Sequence, residues 1–386
     1  MPSPPPIPAF DYRRQLASYR DELDAAMARV LDSGCLILGP EVRSFEAEFA
    51  ASLGVEHAVG VASGTDALIL ALRALGIQAG DRVITVANTA VPTVSAIRAA
   101  GGLPLLVDIE PDTLQMSASH LAATLERPEA RLARCVLPVH LHGQAADMTA
   151  IQALAAEHQL PVVADCAQAY GTQYHGQSMA QWADISCFSF YPTKNLAACG
   201  DGGMCVTGSG LWAARLRELR QYGFGPERIA VSEGVCSRLD ELQAAILRVR
   251  LRHFARSQQA RQEIADRYRQ GLAASPLSLP EPPAGTQHAW HQFVIRWPRR
   301  AELCAALEAA DIGYGIHYPL PIHLMPAYGF LDLPRGSLPH TELAAEQILS
   351  LPMFPGLRSD EVDRIIATVQ TAVGPANGSA VPPGPR

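Results

Sequence analysis

The sequence predicts an α/β fold, with a large domain on a mostly parallel sheet and a smaller C-terminal α/β domain. Three observations support this prediction. Short apolar runs alternate with stretches of helical periodicity between residues 58 and 221, which is typical of βαβ units whose helices cover both faces of a sheet. One long helical stretch, residues 238–254, follows this alternation. A proline-rich connector at residues 276–283 then leads into a further strand and two helices.

Strands and helices alternate through the large domain. The predicted strands are residues 58–62, 82–86, 104–108, 134–139, 161–165 and 185–190. The predicted helices between them are residues 65–75, 91–100, 118–125 and 148–158. A seventh strand, residues 204–207, follows a glycine-rich turn that is too short for a crossover, so we expect it to pair antiparallel. A helix over residues 211–221 ends this alternation.

The domain boundaries follow from the change of pattern after this point. The 238–254 helix joins the two parts, and a strand at 292–297 with helices at 300–310 and 360–373 forms the smaller part. We therefore expect a large domain at 10–255 and a small domain at 256–373. Residues 1–9 are rich in proline, and residues 374–386 are rich in Gly, Pro, Ser and Ala. We expect them to form a flexible N-terminal tail and a disordered C-terminal tail.

Composition excludes several classes of protein. The 386 residues include 31 Lys and Arg against 38 Asp and Glu, a net charge of −7, and no basic cluster that would bind nucleic acid is present. None of the eight cysteines forms a C-x-x-C pair, which indicates reduced thiols and neither a disulfide framework nor a metal site. No secretory signal or apolar stretch of about 20 residues is present. We expect a cytoplasmic protein without membrane contact.

The first candidate site residues are Ser63, Gly64, Thr65 and Asp66, where a strand ends and a helix begins. Ligands of open α/β sheets bind beyond the carboxyl ends of the strands. The free amide groups of a helix N-terminus suit a phosphate. The alternative is an ordinary capping box, with Ser63 as the cap and Asp66 three residues on. Both interpretations are compatible.

Asp165 ends a strand that is predicted to be fully buried. A buried carboxylate is costly unless it has a partner. Three roles are open from the sequence: a metal ligand, a cap for the following loop, or a partner for a cationic heterocycle.

Lys194 follows a strand of aromatic residues, at 188–191, and precedes the apolar residues 196–198. Such dry surroundings lower the pKa of a lysine and leave a neutral amine that forms imines. A pyridoxal 5′-phosphate (PLP) site needs this lysine, an acid that keeps the pyridine nitrogen protonated, and a phosphate cradle. Lys194, Asp165 and the 63–65 turn together predict that site.

The chain resembles the nucleotide-sugar aminotransferases of the DegT/StrS family, which are fold type I PLP enzymes. The resemblance extends from about residue 39 to residue 355. The segments that carry it are residues 39–42, 63–68, 142–144, 165–168, 188–196, 200–203, 237–245 and 351–352. The segment Phe-Ser-Phe-Tyr-Pro-Thr-Lys-Asn-Leu around Lys194 is the most specific of them.

The resemblance implies a role for each matching residue. Lys194 would carry the cofactor as a Schiff base and move the proton, and Asp165 would pair with the pyridine nitrogen. Gln168 would lie beside the ring. Gly64, Thr65 and Ser189 would hold the phosphate, and the sugar-nucleotide side would include the residues Trp290, His291, His317 and Tyr318. A homodimer, glutamate as amino donor and a nucleotide-linked keto sugar as acceptor are also implied.

Two positions depart from the family pattern. An Asn that reaches the neighbouring subunit's phosphate is usual where this chain has Cys236. An aromatic residue that covers the PLP ring is usual where this chain has Ala90, so Asn88 or another group must cover that face. The resemblance also favours amination at C3 of a 3-keto sugar, since C4-aminating relatives more often have His at Tyr191 and Thr at Asn195.

The sequence argues against three other functions. A dehydratase branch of the family has His in place of the lysine, and Lys194 argues against it. A non-catalytic PLP-binding regulator would lose the substrate side, which His317, Tyr318 and the 351–352 segment indicate is present. A nicotinamide oxidoreductase would show G-x-G-x-x-G after its first strand, and no such motif occurs there. C4 amination remains the alternative regiochemistry.

Overall fold

The structure is a computed structural model that describes residues 5–375, so the expectations for residues 1–4 and 376–386 lie outside the described residues. The strands in chain order are β1 His57–Val61, β2 Arg82–Val86, β3 Leu103–Val107, β4 Ala133–Val136, β5 Val163–Asp165, β6 Gln173–Tyr174, β7 Gln177–Ser178, β8 Ile185–Ser189, β9 Gly203–Thr207, β10 Thr286–Gln287, β11 Phe293–Arg296 and β12 Ile348–Leu351.

The α-helices cover both faces of the main sheet and form most of the C-terminal part. In chain order they are α1 Tyr12–Leu16, α2 Arg20–Ser33, α3 Pro40–Leu53, α4 Gly64–Ala74, α5 Val91–Ala99, α6 Ala118–Leu125, α7 Met148–Glu157, α8 Gly210–Leu219, α9 Glu241–Arg252, α10 Phe254–Leu272, α11 Arg300–Ala309, α12 Pro339–Gln347 and α13 Ser359–Val373. Within the described residues, no helix combines the length and the apolar character that a membrane span requires.

The main sheet has seven strands in the order β3-β2-β4-β5-β8-β9-β1. Parallel pairing joins β3, β2 and β4 and joins β5 to β8. Two isolated parallel bridges, Val136 with Val162 and Val139 with Asp165, connect the two halves. Strand β9 alone runs against its neighbours β8 and β1. The predicted α/β class and the antiparallel pairing of the 204–207 run are confirmed.

Apolar side chains form two principal buried clusters. The larger surrounds the main sheet and includes Phe49 and Phe188. The second contains residues of α10, α11, α13 and the β11–β12 pair, with Tyr268 and Phe354 at its centre. These clusters support the proposed division of the chain near residue 255.

The expectation of a flexible tail at residues 1–9 is wrong for Ile7. This residue is 1% exposed and belongs to the second cluster. Its backbone bridges to Ile312, with Ile7 N donating to Asp311 O at 2.8 Å and Gly313 N donating to Ile7 O at 2.7 Å. An apolar side chain within the proline-rich segment therefore fixes the start of the described chain.

The predicted single helix at 238–254 is replaced by two helices. Helix α9 begins after Asp240, whose backbone is extended, and ends before His253. Helix α10 then continues to Leu272 and was not predicted. Its buried face includes Gln258 and Arg261, and these polar residues hide the apolar periodicity that identifies a helix. The β12 partner of β11 was also missed.

The side chain of Glu241 connects two of the segments that carry the family resemblance, residues 39–42 and 237–245. Its side chain is buried and accepts hydrogen bonds from the backbone N–H groups of Gly39 (2.7 Å), Glu41 (2.8 Å) and Val42 (2.9 Å). These groups at the N-terminus of α3 have no partner within that helix. The 237–245 segment therefore caps the helix that starts in the 39–42 segment.

Candidate active site

A cavity of about 480 Å³ opens at the carboxyl ends of the main-sheet strands. Its walls come from the β1–α4 turn, the β2–α5 loop, the end of β5, the β8–β9 loop and two segments of the C-terminal part. The structure brings nine of the predicted site residues to this one cavity: Gly64, Thr65, Asp165, Gln168, Ser189, Lys194, His291, His317 and Tyr318. Trp290, which was also expected on the substrate side, is 1% exposed and does not line the cavity.

The N-terminus of α4 forms one side of the cavity. Ser63 caps the helix, and its Oγ accepts from Asp66 N at 3.0 Å. The next residue, Gly64, packs so closely that an added Cβ would lie 2.5 Å from Ser189 Cβ. Ser63 is therefore the cap, whereas the Asp66 carboxylate accepts from Ser237 Oγ at 2.8 Å. The first turn of α4 lines the cavity beside Ser189, which is the geometry that a phosphate site requires.

Asp165 is 5% exposed and receives one hydrogen bond on each oxygen. Ala167 N donates to Oδ1 at 3.0 Å, and Thr93 Oγ1 donates to Oδ2 at 2.8 Å. Burial raises the pKa of Asp165, while these two bonds and the charge of Lys194 oppose that rise. Among the described residues, the hydrogen-bond partners of this carboxylate are the neutral donors of Thr93 and Ala167, and it forms no ion pair. The site thus offers a desolvated acceptor that fits a cationic ring nitrogen.

Thr89 and Thr93 form a directed chain of hydrogen bonds to this carboxylate. Their Oγ1 atoms lie 2.7 Å apart in the buried interior. An ionised Asp165 can only accept, so Thr93 donates to it and must accept from Thr89. The two hydroxyl groups therefore polarise each other toward the anion.

Lys194 lies in the β8–β9 loop, which is closed at its base. Phe190 N donates to Gly202 O at 2.8 Å, and Ala198 N donates to Phe190 O at 2.7 Å. The Lys194 amide itself donates to Tyr191 O at 2.8 Å. Burial lowers the pKa of the Lys194 ammonium to about 8, against the opposing charge of Asp165. Half of this lysine is thus neutral at about pH 8, whereas an exposed lysine is almost wholly charged at that pH.

Gln168 connects the Asp165 loop to Tyr318. The backbone N–H of His142 donates to Gln168 Oε1 at 2.6 Å, which turns the amide nitrogen toward the Tyr318 hydroxyl at 3.3 Å. Tyr318 therefore accepts from Gln168, and its own hydrogen is free to donate into the cavity. His317 is held separately, with Nδ1 2.8 Å from Ser350 Oγ.

Aliphatic residues cover the wall where the family places an aromatic ring. Ala90, Val91 and Pro92 line the cavity. Asn88 does not cover this face, because it is buried and its Nδ2 donates to Leu114 O at 3.1 Å. Cys236 is exposed, and its Sγ lies 3.1 Å from an Arg238 guanidinium nitrogen.

The cavity wall has little positive charge of its own. Lys194 is the only Lys or Arg among the described lining residues. Burial lowers the pKa of His140 to about 3 and of His317 to about 4, and it holds the pKa of His291 well below its ordinary value. These imidazoles are therefore neutral at pH 7, and the first turn of α4 and Lys194 supply the attraction for anions.

Several residues that shape the site cannot be identified from the sequence alone. Thr93 is four residues from Thr89 at helical spacing, but nothing in the sequence links it to Asp165. Asn195 was noted only for regiochemistry, yet it contacts His291 across 96 positions of the chain. Such pairs depend on how the C-terminal part packs against the main sheet, which no local pattern records.

The fold and the site together define a PLP-dependent aminotransferase. The sequence profile of the DegT/DnrJ/EryC1/StrS aminotransferase family matches residues 18–370, and the chain belongs to this family. The predicted family, enzyme class and cofactor are confirmed.

Two relatives with assigned names are similar over nearly the whole chain. The dTDP-3-amino-3,4,6-trideoxy-α-D-glucose transaminase of Streptomyces venezuelae is 45% identical over 367 residues, which cover 95% of this chain and 96% of the relative. The UDP-N-acetyl-3-dehydro-α-D-glucosamine 3-aminotransferase of Acidithiobacillus ferrooxidans is 42% identical, covering 94% and 97%.

A solved structure shows the same architecture. The crystal structure of S. venezuelae DesV in complex with a ketimine intermediate superposes with a TM-score of 0.93 at 43% identity. The match covers 97% of this chain and 100% of that chain. The likeness extends through both apolar clusters and the cavity.

Proposed function

We propose that this protein transfers an amino group from glutamate to C3 of a nucleotide-linked keto sugar, for amino-sugar biosynthesis. The observation that carries the proposal is that Lys194, with its lowered pKa, and the unpaired carboxylate of Asp165 face one cavity beside a helix N-terminus. The names of the two relatives, which act on dTDP- and UDP-linked sugars at position 3, support the substrate class and the position.

The cofactor-binding residues would act at three places in the cavity. Gly64, Thr65 and Ser189 would hold the phosphate at the first turn of α4. Asp165 would hold the ring nitrogen, and Gln168 would lie beside the ring. When bound, PLP supplies an electron-withdrawing ring that stabilises negative charge on the carbon that loses its proton.

Lys194 is the proposed proton carrier. Its pKa of about 8 lies much closer to neutral pH than that of an exposed lysine, and general acid–base catalysis is most effective when the pKa is close to the pH. Nζ takes a proton from the donor amino acid and returns one to the acceptor half-reaction. Because the Lys194 loop is closed at its base by the Phe190 contacts, this amine keeps its position in the cavity.

The substrate side is proposed to include His317 and Tyr318. Tyr318 presents a hydroxyl donor and His317 a neutral ring, because the pKa of His317 is about 4. Neither contributes a positive charge that would bind the diphosphate. These residues therefore fit a role in orienting the sugar.

A cytoplasmic homodimer with both sites at the interface completes the proposal. Leu36, Ile37, Tyr222, Ile229 and Val231 are 45–66% exposed. They lie near one segment, residues 236–240, because Ile37 bridges to Asp240 and Gln221 bridges to Cys236. An exposed apolar surface of this kind is typical of an interface, and isologous dimers are the commonest assembly. A partner subunit would also supply the cations that the cavity wall lacks.

The decisive experiment offers matched 3-keto and 4-keto nucleotide sugars with ¹⁵N-glutamate and locates the nitrogen by NMR. Label at C3 is expected. Label only at C4 would overturn the regiochemistry, and the absence of turnover with both sugars would favour the regulatory alternative. Borohydride treatment of the yellow holoenzyme, followed by peptide mass spectrometry, should place the cofactor on Lys194; attachment at another lysine would contradict that assignment.

A further inference from the structure

Asn195 lies behind His291 at the wall of the cavity. The Asn195 amide nitrogen Nδ2 donates to the backbone oxygen of Ala289 at 2.7 Å. Its oxygen Oδ1 lies 3.1 Å from His291 Nδ1. Both side chains are buried, with Asn195 at 6% and His291 at 7% exposure, and His291 is the one that lines the cavity.

The chemistry of these groups fixes the direction of each hydrogen bond. A backbone carbonyl only accepts, so the NH₂ group of Asn195 must face Ala289. The amide oxygen then faces His291, and because it also only accepts, the hydrogen of this contact must be on Nδ1. In a neutral imidazole the other nitrogen, Nε2, then holds a lone pair.

His291 is neutral in these surroundings. Burial, together with the positive charges of Lys194 and Arg261, holds the pKa of His291 well below its ordinary value. No hydrogen bond from the described residues reaches Nε2, and this atom is not among the fully buried ones. The exposed part of the ring therefore presents an acceptor.

Arg261 fixes the backbone that holds this ring. It is 1% exposed, and its NH1 donates to Trp290 O at 3.0 Å, to His291 O at 3.4 Å and to Met353 O at 3.1 Å. Three carbonyl groups from two segments thus converge on one guanidinium. The backbone that carries the His291 ring therefore cannot shift without disturbing this group.

We propose that Asn195 fixes His291 in the Nδ1–H form, so that His291 Nε2 accepts a hydrogen bond from a hydroxyl group of the keto sugar. Asn195 is then a positioning residue and His291 a specificity residue. Tyr318 offers a hydrogen-bond donor to the cavity, and His291 offers an acceptor. Tyr318 therefore selects an acceptor group of the substrate, and His291 selects a donor group. The inference rests on the proposed function for the identity of the substrate, but not for the tautomer.

The tautomer is tested first, by ¹⁵N NMR of the holoenzyme labelled in histidine. The His291 signal is assigned as the one that His291→Gln removes. In the unsubstituted protein it should show Nδ1–H and an unprotonated Nε2. Asn195→Leu, which removes the acceptor for Nδ1–H, should shift it toward the Nε2–H form. Asn88→Leu, which removes a buried amide-to-carbonyl bond elsewhere, is the matched control and should leave the His291 signal unchanged.

The specificity is tested with 3-keto nucleotide sugars in which each hydroxyl is replaced in turn by fluorine, which cannot donate. One replacement should lower kcat/KM about tenfold in the unsubstituted enzyme, as expected for one lost hydrogen bond. The same replacement should change kcat/KM of Asn195→Leu less than about twofold.

An Nε2–H signal in the unsubstituted protein would overturn the proposal, as would equal discrimination in Asn195→Leu. If no 3-keto sugar is aminated, the proposed function fails, while the NMR result still decides the tautomer.

Discussion

Lys194 and Asp165 illustrate how burial prepares single residues for chemistry. Burial lowers the pKa of the lysine to about 8 and raises the pKa of the carboxylate. Both pKa shifts show that burial disfavours the charged forms of Lys194 and Asp165 in the protein without its cofactor. A cationic ring nitrogen beside Asp165 relieves part of this cost, so binding of the cofactor and the charge of the site support each other.

The lowered pKa of Lys194 gives a testable pH dependence. Attachment of PLP to the apoprotein requires the neutral amine, which is scarce below the pKa and predominant above it. The attachment rate, followed by absorbance at constant PLP concentration, should therefore rise with pH and level off above about 8. Asp165→Asn removes a charge that raises this pKa, so its plateau should begin at lower pH. A rate that still climbs near pH 10 would mean that Lys194 behaves as an exposed lysine; Lys194→Ala should show no attachment and no transamination.

The bond from Thr93 predicts a graded loss of activity. Asp165→Asn should lower kcat at least ~100-fold, about 2.7 kcal/mol, since the amide cannot keep the ring nitrogen protonated. Thr93→Val removes the donor to Oδ2 and should cost about tenfold, with the acidic limb of the kcat/KM profile moved to higher pH. Thr93→Ser keeps the donor and should restore the profile. Identical profiles for the Val and Ser variants would show that the contact is only structural.

At the scale of elements, helix caps connect distant parts of the chain. The α3 N-terminus has an acidic side chain from α9 as its cap, although about 200 residues separate them. Ser63 caps α4 from its own turn. The first cap holds the fold together, and the second leaves the first turn of α4 available to the cavity.

Replacing Glu241 with Gln should destabilise the protein. The amide oxygen can still accept from Gly39 and Val42, but the amide nitrogen would face the Glu41 N–H, so two donors would meet. A buried N–H without an acceptor costs about 1–3 kcal/mol, which urea unfolding would measure. The control is Glu48→Gln on α3, the helix that Glu241 caps. This change removes only a partly exposed ion pair to Arg248 and should cost less than about 1 kcal/mol. Equal losses for the two variants would contradict the role of Glu241 as a cap.

Much of the fold and the candidate site could be predicted because the relevant patterns are local. A strand that ends in Asp165, or a Ser63–Gly64 turn before a helix, is visible within ten residues. Helix α10 was missed because Gln258 and Arg261 occupy its buried face. The Asn195–His291 pair was missed because it forms only when the C-terminal part is in place. The sequence pattern does not reveal contacts between polar residues that are far apart in the chain.

At the scale of the molecule, the proposed dimer predicts a coupling between assembly and activity. Val231→Asp places a charge on the exposed apolar surface, so it should shift sedimentation toward monomer and lower activity in parallel. Leu211→Asp, at a 73% exposed residue of α8, is the control and should leave assembly unchanged.

Cys236→Asn should keep activity and strengthen PLP binding. A fully active monomer would contradict the shared site, and loss of PLP binding in Cys236→Asn would contradict the placement of that segment.

The contact of Ile7 with the 311–313 segment has a consequence for the order in which the protein is made. Ile7 leaves the ribosome about 300 residues before its partners at residues 311–313. At roughly 5–20 residues per second, this interval lasts on the order of 15–60 s. The segment that contains Ile7 therefore stays without its partners for this interval, and its docking onto the C-terminal part must follow the synthesis of residues 311–313.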